Sequence, residues 1–143
     1  MTVLCIDPSL KQSGISVFKD NKLVKTTIAS GISGNFNVLR ELIKTYKPDL
    51  IIKEDCYCGP NRKTYYRLAQ IHGVIDLLGE LYNIPIKSYT PSEGKKTAGT
   101  NTKDKQSKEK VRDYVNLYFS TNIINMDVTD SMILYINYVK EME

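Results

Sequence analysis

The first thirty residues form short apolar and alternating runs that are typical of β-strands. An apolar run over residues 2–6 ends at Asp7. The side chains of residues 14–19 are expected to point alternately to the two sides of a strand, with Ile15 and Val17 on one side and Ser16 and Phe18 on the other. Asp20–Asn21 favours a two-residue hairpin turn before a third run at residues 23–28. This pattern predicts three antiparallel strands joined by short turns.

The spacing of apolar positions then changes from that of a strand to that of a helix. Residues 35–46 repeat apolar positions every three or four residues, and Asn35 is the expected N-cap after a break at residues 31–34. Pro48 ends this pattern, and the apolar run at residues 50–54 predicts a central strand. A strand reached through a helical crossover is expected to lie parallel to its neighbour.

A long helical pattern covers residues 61–83 and is apolar over most of its circumference. Such a helix usually has two partners, which here would be the sheet and, as one possibility, a second copy of the protein. The pattern continues with a short strand from Ile84 to Tyr89, a helical turn at Pro91, and two helices at residues 106–119 and 127–142. We therefore expect one α/β domain over residues 1–143, with a five-stranded mixed sheet flanked by helices.

Composition limits the class of protein. A chain of 143 residues with 41 % hydrophobic and 25 % charged residues is ordinary for a globular domain. No run approaches the roughly 20 apolar residues that span a bilayer, and no signal-type segment opens the chain. The three cysteines suit a reducing compartment, so we expect a cytoplasmic protein without a membrane partner.

Basic residues are concentrated between Lys95 and Arg112. The formal net charge is only +4, but this segment carries seven of the 20 lysines and arginines against Asp104 and Glu109. A phosphate backbone is a natural partner for such a patch. The alternative is a solvated lysine-rich loop and helix face.

Carboxylates end or open three of the predicted elements. Asp7 and Glu54 each end an apolar strand, and Asp127 and Asp130 open the last helix at i, i+3 spacing, which puts them on one side. Converging carboxylates repel one another unless a cation intervenes, and oxygen ligands suit Mg²⁺ or Mn²⁺. Two such ions, about 4 Å apart, could act on a phosphodiester. The alternatives are a turn or capping role for Asp7 and an N-cap role for Asp127.

Several short motifs follow one another along almost the whole chain: Ile6-Asp7-Pro8-Ser9 with Gly14, Glu54 with Tyr57, Ala69-Gln70-Ile71-His72-Gly73, Tyr89-x-Pro91 with Lys95 and Lys96, Lys108-x-x-Val111, and Asp127-x-x-Asp130. In this order and spacing they resemble the RuvC family of Holliday-junction resolvases. The resemblance implies a ribonuclease-H-like fold, a homodimer, Mg²⁺ dependence with Mn²⁺ as a substitute, and paired nicking of junction DNA. The compact chain is similar to phage and viral relatives, which implies a bacterial or phage-infected bacterial cell.

The resemblance also implies roles for individual residues. Asp7, Glu54, Asp127 and Asp130 would be the catalytic metal ligands, with two ions at the site. Tyr57 matches an aromatic residue that stacks on an opened base near the junction centre. Basic positions near the scissile phosphate correspond to Lys95 and Lys108, with Lys96 and Lys105 as neighbouring candidates.

One departure limits the resemblance, and two other functions remain open. Ser9 stands where the family usually has glycine, so the first turn is expected to differ slightly. His72 is expected to be packed on the long helix rather than to act as a base. The alternatives are a ribonuclease-H-fold nuclease that acts on flaps, forks or RNA-containing duplexes, and a non-catalytic junction-binding protein.

Overall fold

The computed structural model describes residues 1–56 and 58–143 of the chain. Within these residues the strands and helices are, in chain order, β1 (Thr2–Asp7), β2 (Ser13–Lys19), β3 (Lys22–Ala29), α1 (Gly31–Tyr46), β4 (Leu50–Glu54), α2 (Arg62–Leu81), β5 (Ile86–Tyr89), α3 (Pro91–Thr97), α4 (Ser107–Phe119) and α5 (Met126–Met142).

The described strands form one five-stranded mixed sheet in the order β3-β2-β1-β4-β5. β1, β2 and β3 pair antiparallel, whereas β4 lies parallel to β1 and to β5. Asp20 and Asn21 both have positive φ, 50° and 66°, as the two-residue turn between β2 and β3 requires. The mixed sheet and the hairpin predicted from the sequence are confirmed.

Alternation along β1 divides the core into two layers. Val3 and Cys5 pack against α4 and α5, whereas Leu4 and Ile6 pack against α1 and α2. Helix α5 is buried on all sides from residue 131 to 137, because it lies across the sheet and contacts α4 as well. The helices thus cover both faces of the sheet, and each face has its own apolar core.

Two predicted boundaries are wrong. Helix α1 begins at Gly31 rather than after Asn35, whose buried amide donates to the Gly31 carbonyl at 2.7 Å and so supports the first turn. Strand β5 begins at Ile86 rather than Ile84, because the Ile84 N–H donates to the Gly79 carbonyl at the end of α2. Both boundaries depend on contacts that apolar spacing does not report.

Helix α2 agrees with the prediction of a long helix with an incompletely covered apolar surface. The Asn61 side chain accepts hydrogen bonds from the backbone N–H groups of Lys63 and Thr64 and so caps its first turn. Ile71, Ile75 and Leu78 are buried in the core that α2 shares with α1 and the sheet, whereas other large apolar side chains of α2 stay exposed. None of the helices in the described ranges is long and apolar enough to cross a membrane.

A polar cluster with a buried lysine and a buried histidine joins α2 to the end of β4. The Lys53 ammonium donates to His72 Nδ1 at 3.1 Å and to Asp76 Oδ1 at 2.9 Å. Burial, and then the neighbouring Lys53 charge, lower the pKa of His72 to about 4. His72 is therefore a neutral acceptor for Lys53, in agreement with the expected packing role.

We expect the contribution of His72 to the free energy of unfolding to fall as the pH is lowered from about 6.5 to about 4. Above this range His72 is neutral in both the folded and the unfolded protein. Within it, the His72 imidazole of the unfolded chain binds a proton that the folded protein does not bind. The two pKa values limit the loss to about 3 kcal/mol. Chemical denaturation at several pH values measures it, with His72→Leu as the non-titrating control. The stability gap between the two proteins should narrow at low pH, and a constant gap would contradict the neutral imidazole.

Candidate metal centre

Asp7 and Glu54 lie side by side at one edge of the sheet. β1 and β4 are parallel and pair Ile6 with Lys53, so the next residues of the two strands are Asp7 and Glu54. Asp7 lies two residues after Cys5, and Glu54 lies two residues after Ile52. Residues two apart in a strand share a face, and Cys5 and Ile52 belong to the core on the α5 side, so both carboxylates face α5. The convergence expected from the sequence depends on this register.

The first turn of α5 brings the other two carboxylates to the same edge. Asn125 is the N-cap, since its side-chain oxygen accepts from the N–H groups of Asp127 at 2.9 Å and Val128 at 3.1 Å. The alternative N-cap role for Asp127 is therefore wrong, because Asp127 lies inside the first turn. Asp127 and Asp130 are left free to face Asp7.

Gly14 on β2 allows this turn to approach the sheet. A Cβ atom at Gly14 would lie 1.8 Å from the Asp127 carbonyl oxygen and 2.6 Å from the Val128 nitrogen. Such distances are impossible for real atoms, so only glycine fits under the start of α5 without displacing it. Gly14 also pairs with Asp7 across β1 and β2, which ties the contact to the candidate site.

The carboxylates form a set that could hold a metal ion. Asp7, Asp127 and Asp130 each offer one oxygen, and these oxygens lie within 4.8 Å of one another. Glu54 lines the same cleft as these three carboxylates. A half-buried group of oxygen donors fits the ligand preference of a hard divalent cation such as Mg²⁺ or Mn²⁺.

The electrostatics of the site favour a bound cation. Burial, followed by the charges of Glu54 and Asp130, raises the pKa of Asp7 well above its usual value. Burial and the Asp130 charge raise the pKa of Glu54 to about 7, and burial raises the pKa of Asp130. The charged forms are thus unfavourable on their own, and a cation between the oxygens would offset the repulsion.

The predicted basic residues divide into two groups. Lys108 Nζ lies 3.1 Å from Asp130 Oδ2 and 3.7 Å from Asp127 Oδ1, and Lys95 lines the same cleft. Lys96 and Lys105 are exposed and fall outside the described lining of that cleft. Tyr57 lies outside the described residues.

Two residues with a role in the site were missed in the sequence. Asn125 has a recognisable signal, since asparagine before an apolar helix is a preferred N-cap. Its amide also donates to Gln12 Oε1 at 2.9 Å, which links α5 to the loop between β1 and β2. The Gln12 contact joins residues 113 positions apart and has no local signal.

The strand order and directions, with α5 across the sheet, define a ribonuclease-H-like fold, as the sequence predicts. The family model described as Crossover junction endodeoxyribonuclease RuvC matches residues 3–138. The chain therefore belongs to the RuvC family, and the resemblance noted in its motifs is confirmed.

Individual relatives agree with this assignment. The crossover junction endodeoxyribonuclease RuvC of Brachyspira hyodysenteriae is 30 % identical over 92 % of this chain and 89 % of its own length. Thermus thermophilus RuvC, solved with a Holliday junction substrate, shares the fold with a TM-score of 0.83 at 14 % identity, over 99 % of this chain and 96 % of that one. The fowlpox virus Holliday junction resolvase shares it with a TM-score of 0.68 at 18 % identity over both complete chains.

Gly14→Ala is expected to disrupt the candidate metal centre. The added methyl group must push the first turn of α5 away from β2, which separates Asp127 and Asp130 from Asp7. We expect weaker Mn²⁺ binding by calorimetry and a loss of stability of about 1–3 kcal/mol, the usual cost of overpacking. Gly34→Ala is the matched control, because its Cβ meets open space on α1. Wild-type Mn²⁺ affinity in Gly14→Ala would contradict the role of this contact.

Proposed function

We propose that the protein is a divalent-metal-dependent endonuclease that resolves Holliday junctions by paired nicks. The observation that carries the proposal is the convergence of three carboxylate oxygens within 4.8 Å at the end of β1 and the start of α5. Membership of the crossover junction endodeoxyribonuclease RuvC family supports the same activity. The fold is also shared with a RuvC protein solved with a Holliday junction substrate.

Asp7, Glu54, Asp127 and Asp130 would hold the metal, which we propose to be two Mg²⁺ ions that Mn²⁺ can replace. Their oxygen donors support this choice over zinc. When bound, the ions would activate water and stabilise the leaving oxygen of a phosphodiester.

Lys95 and Lys108 would hold the phosphate against these carboxylates. Lys108 already contacts Asp127 and Asp130, and Lys95 is carried by the short helix α3. A reciprocal pair of hydrogen bonds between Thr90 and Glu93 fixes the first turn of α3. This support lowers the entropy lost when Lys95 contacts a phosphate.

Recognition of branched DNA would need contacts beyond the cleft. Tyr57 is proposed to stack on an opened base at the junction centre, where stacking is worth roughly 1–3 kcal/mol for any base. Lys96 and Lys105 are exposed and would contact the backbone without reading sequence. The proposal therefore expects selectivity for branching rather than for sequence.

A homodimer is the proposed assembly, with α2 as its interface. Tyr66, Leu77 and Leu81 are exposed and fall on one side of α2, opposite the buried Ile71 and Ile75. Gly73 lies on the exposed side too, and its missing side chain leaves open space for a second helix. A two-fold dimer would supply one active site for each of two symmetric strands.

The proposed compartment is the cytoplasm of a bacterial or phage-infected bacterial cell. The described cysteines Cys5, Cys56 and Cys58 are free thiols, which a reducing compartment maintains.

Substitution of Asp7 or Asp130 by Asn should separate cleavage from binding. Nicking of a labelled four-way junction should fall by more than about 100-fold, since even groups that only support metal ligands are worth roughly 10–100-fold. Junction binding should stay equal or tighten, because a negative charge near the phosphates is lost. The control is Asp113→Asn on the exposed side of α4.

The substrates in this assay should include forks, flaps, RNA-containing duplexes and linear DNA, with and without Mg²⁺. Normal nicking by Asp7→Asn would refute the metal-site assignment. Faster cleavage of flaps or RNA-containing duplexes than of junctions would contradict the proposed substrate and favour the alternative, a ribonuclease-H-fold nuclease that acts on those structures.

Leu77→Glu should convert the dimer to a monomer. A buried unpaired charge on each side of a two-fold interface is strongly unfavourable. Sedimentation at micromolar concentration should show the change, and the two nicks in one junction should become uncoupled. Leu117→Glu is the control, since Leu117 is 83 % exposed on α4. A wild-type monomer that still makes paired nicks would exclude the dimer.

A further inference from the structure

The loop between α3 and α4 is organised around one carboxylate, that of Asp104. Asp104 accepts hydrogen bonds from the Thr100 hydroxyl at 2.7 Å, from the Gln106 N–H at 2.9 Å and from the Lys110 ammonium. The hydrogen bond from Lys110, followed by those from Gln106 and Thr100, lowers the pKa of Asp104. The negative charge of Asp104 is thus engaged inside the loop.

The rest of the loop is tied to both helices. The Asn101 side chain accepts from the N–H groups of Lys103 at 3.0 Å and Asp104 at 3.1 Å. The Thr100 N–H donates to the Lys95 carbonyl of α3 at 2.8 Å, and Lys110 belongs to α4. A segment without regular secondary structure is therefore held in one conformation by its own side chains.

This conformation leaves two lysines exposed on either side of Asp104. Lys103 and Lys105 are both exposed, whereas Asp104 between them is largely covered. Within the described residues, the ion pair of Asp104 is made with Lys110 and not with either neighbour. The positive charges of Lys103 and Lys105 are therefore available to a ligand.

The loop borders a groove that continues from the candidate metal centre. Thr102 lines this groove together with Cys56 and Cys58. The groove and the carboxylate cleft share Glu54, Thr90, Pro91 and Lys95 in their walls. A polyanion that crosses the cleft can therefore reach the loop at Thr102, next to Lys103.

We propose that Asp104 is a positioning residue, and that it makes residues 99–106 a rigid basic wall on which Lys103 and Lys105 bind the sugar-phosphate backbone beyond the cleaved phosphate. The ligand class, a nucleic-acid backbone, rests on the proposed function. The wall itself rests on the hydrogen bonds of Asp104 and Asn101. An acidic residue in a phosphate-binding loop is unfavourable by charge, and its internal bonds offset that repulsion.

The test is the effect of Asp104→Asn on the affinity for a four-way junction. On charge alone, loss of an acidic group leaves binding unchanged or tightens it. The positioning role predicts the opposite effect on affinity, because the loop loses the ion pair between Asp104 and Lys110. We therefore expect binding to weaken by about 10-fold. Asp113→Asn is the matched control, since it removes one exposed carboxylate of α4 and should not weaken binding. Equal or tighter binding by Asp104→Asn overturns the inference.

A second variant tests the wall without altering its support. Lys103→Ala with Lys105→Ala should reduce the slope of log affinity against log salt concentration by about 2, one unit for each phosphate contact. In the Asp104→Asn background the same pair should have a smaller effect, because the lysines are no longer held in place. An unchanged slope means that the lysines are merely solvated and overturns the inference, even if Asp104→Asn is poorly folded.

The same assays separate this inference from the proposed function. Wild-type protein that neither binds nor nicks junctions refutes the proposed function and, with it, the ligand of the wall. Wild-type protein that nicks junctions, with the salt slope unaffected by the lysine pair, leaves the proposed function intact and refutes the wall alone.

Discussion

The close contact between the first turn of α5 and strand β2 is the constraint on which the site depends. The Asp127 carbonyl lies where a side chain on Gly14 would be, so α5 meets the sheet at the shortest distance that backbone atoms permit. This contact brings Asp127 and Asp130 to the ends of β1 and β4. Asn125 supports the same turn, both as a cap and through Gln12. The geometry of the carboxylates is thus set by backbone packing rather than by the carboxylates themselves, which repel one another.

That repulsion is tolerated because the surrounding packing holds the carboxylates in place. Helix α5 is buried along its middle, and the hydrogen bond between Ser16 and Ser131 anchors it to β2 at 2.9 Å. Lys108 offsets part of the negative charge. A site that is strained without its cation and held by a rigid core is preorganised for the ion, since little further ordering is needed on binding.

The two faces of the sheet separate the proposed chemistry from the proposed assembly. The carboxylates and basic residues face α3, α4 and α5, whereas the exposed apolar side of α2 lies beyond the opposite face. The Lys53 cluster connects the two, because its ammonium comes from the strand that ends in Glu54 and its acceptors come from α2. Polar contacts thus join α2 to the strand that carries Glu54.

Local pattern by itself determined most of the fold, because strands, helices and turns depend on neighbours close in the chain. The strands of the sheet could be predicted from the alternation in β2, the Asp20–Asn21 turn and the apolar run that ends in Glu54. The order of the motifs was sufficient to predict the family and to identify the candidate carboxylates. The start of α1 at Gly31 and the Asp104 bonds were not predicted, since they depend on particular side-chain hydrogen bonds. Only the tertiary structure decided how closely the carboxylates meet and which lysines reach them, because residues 7, 108, 127 and 130 are brought together by packing that leaves no periodic trace in the sequence.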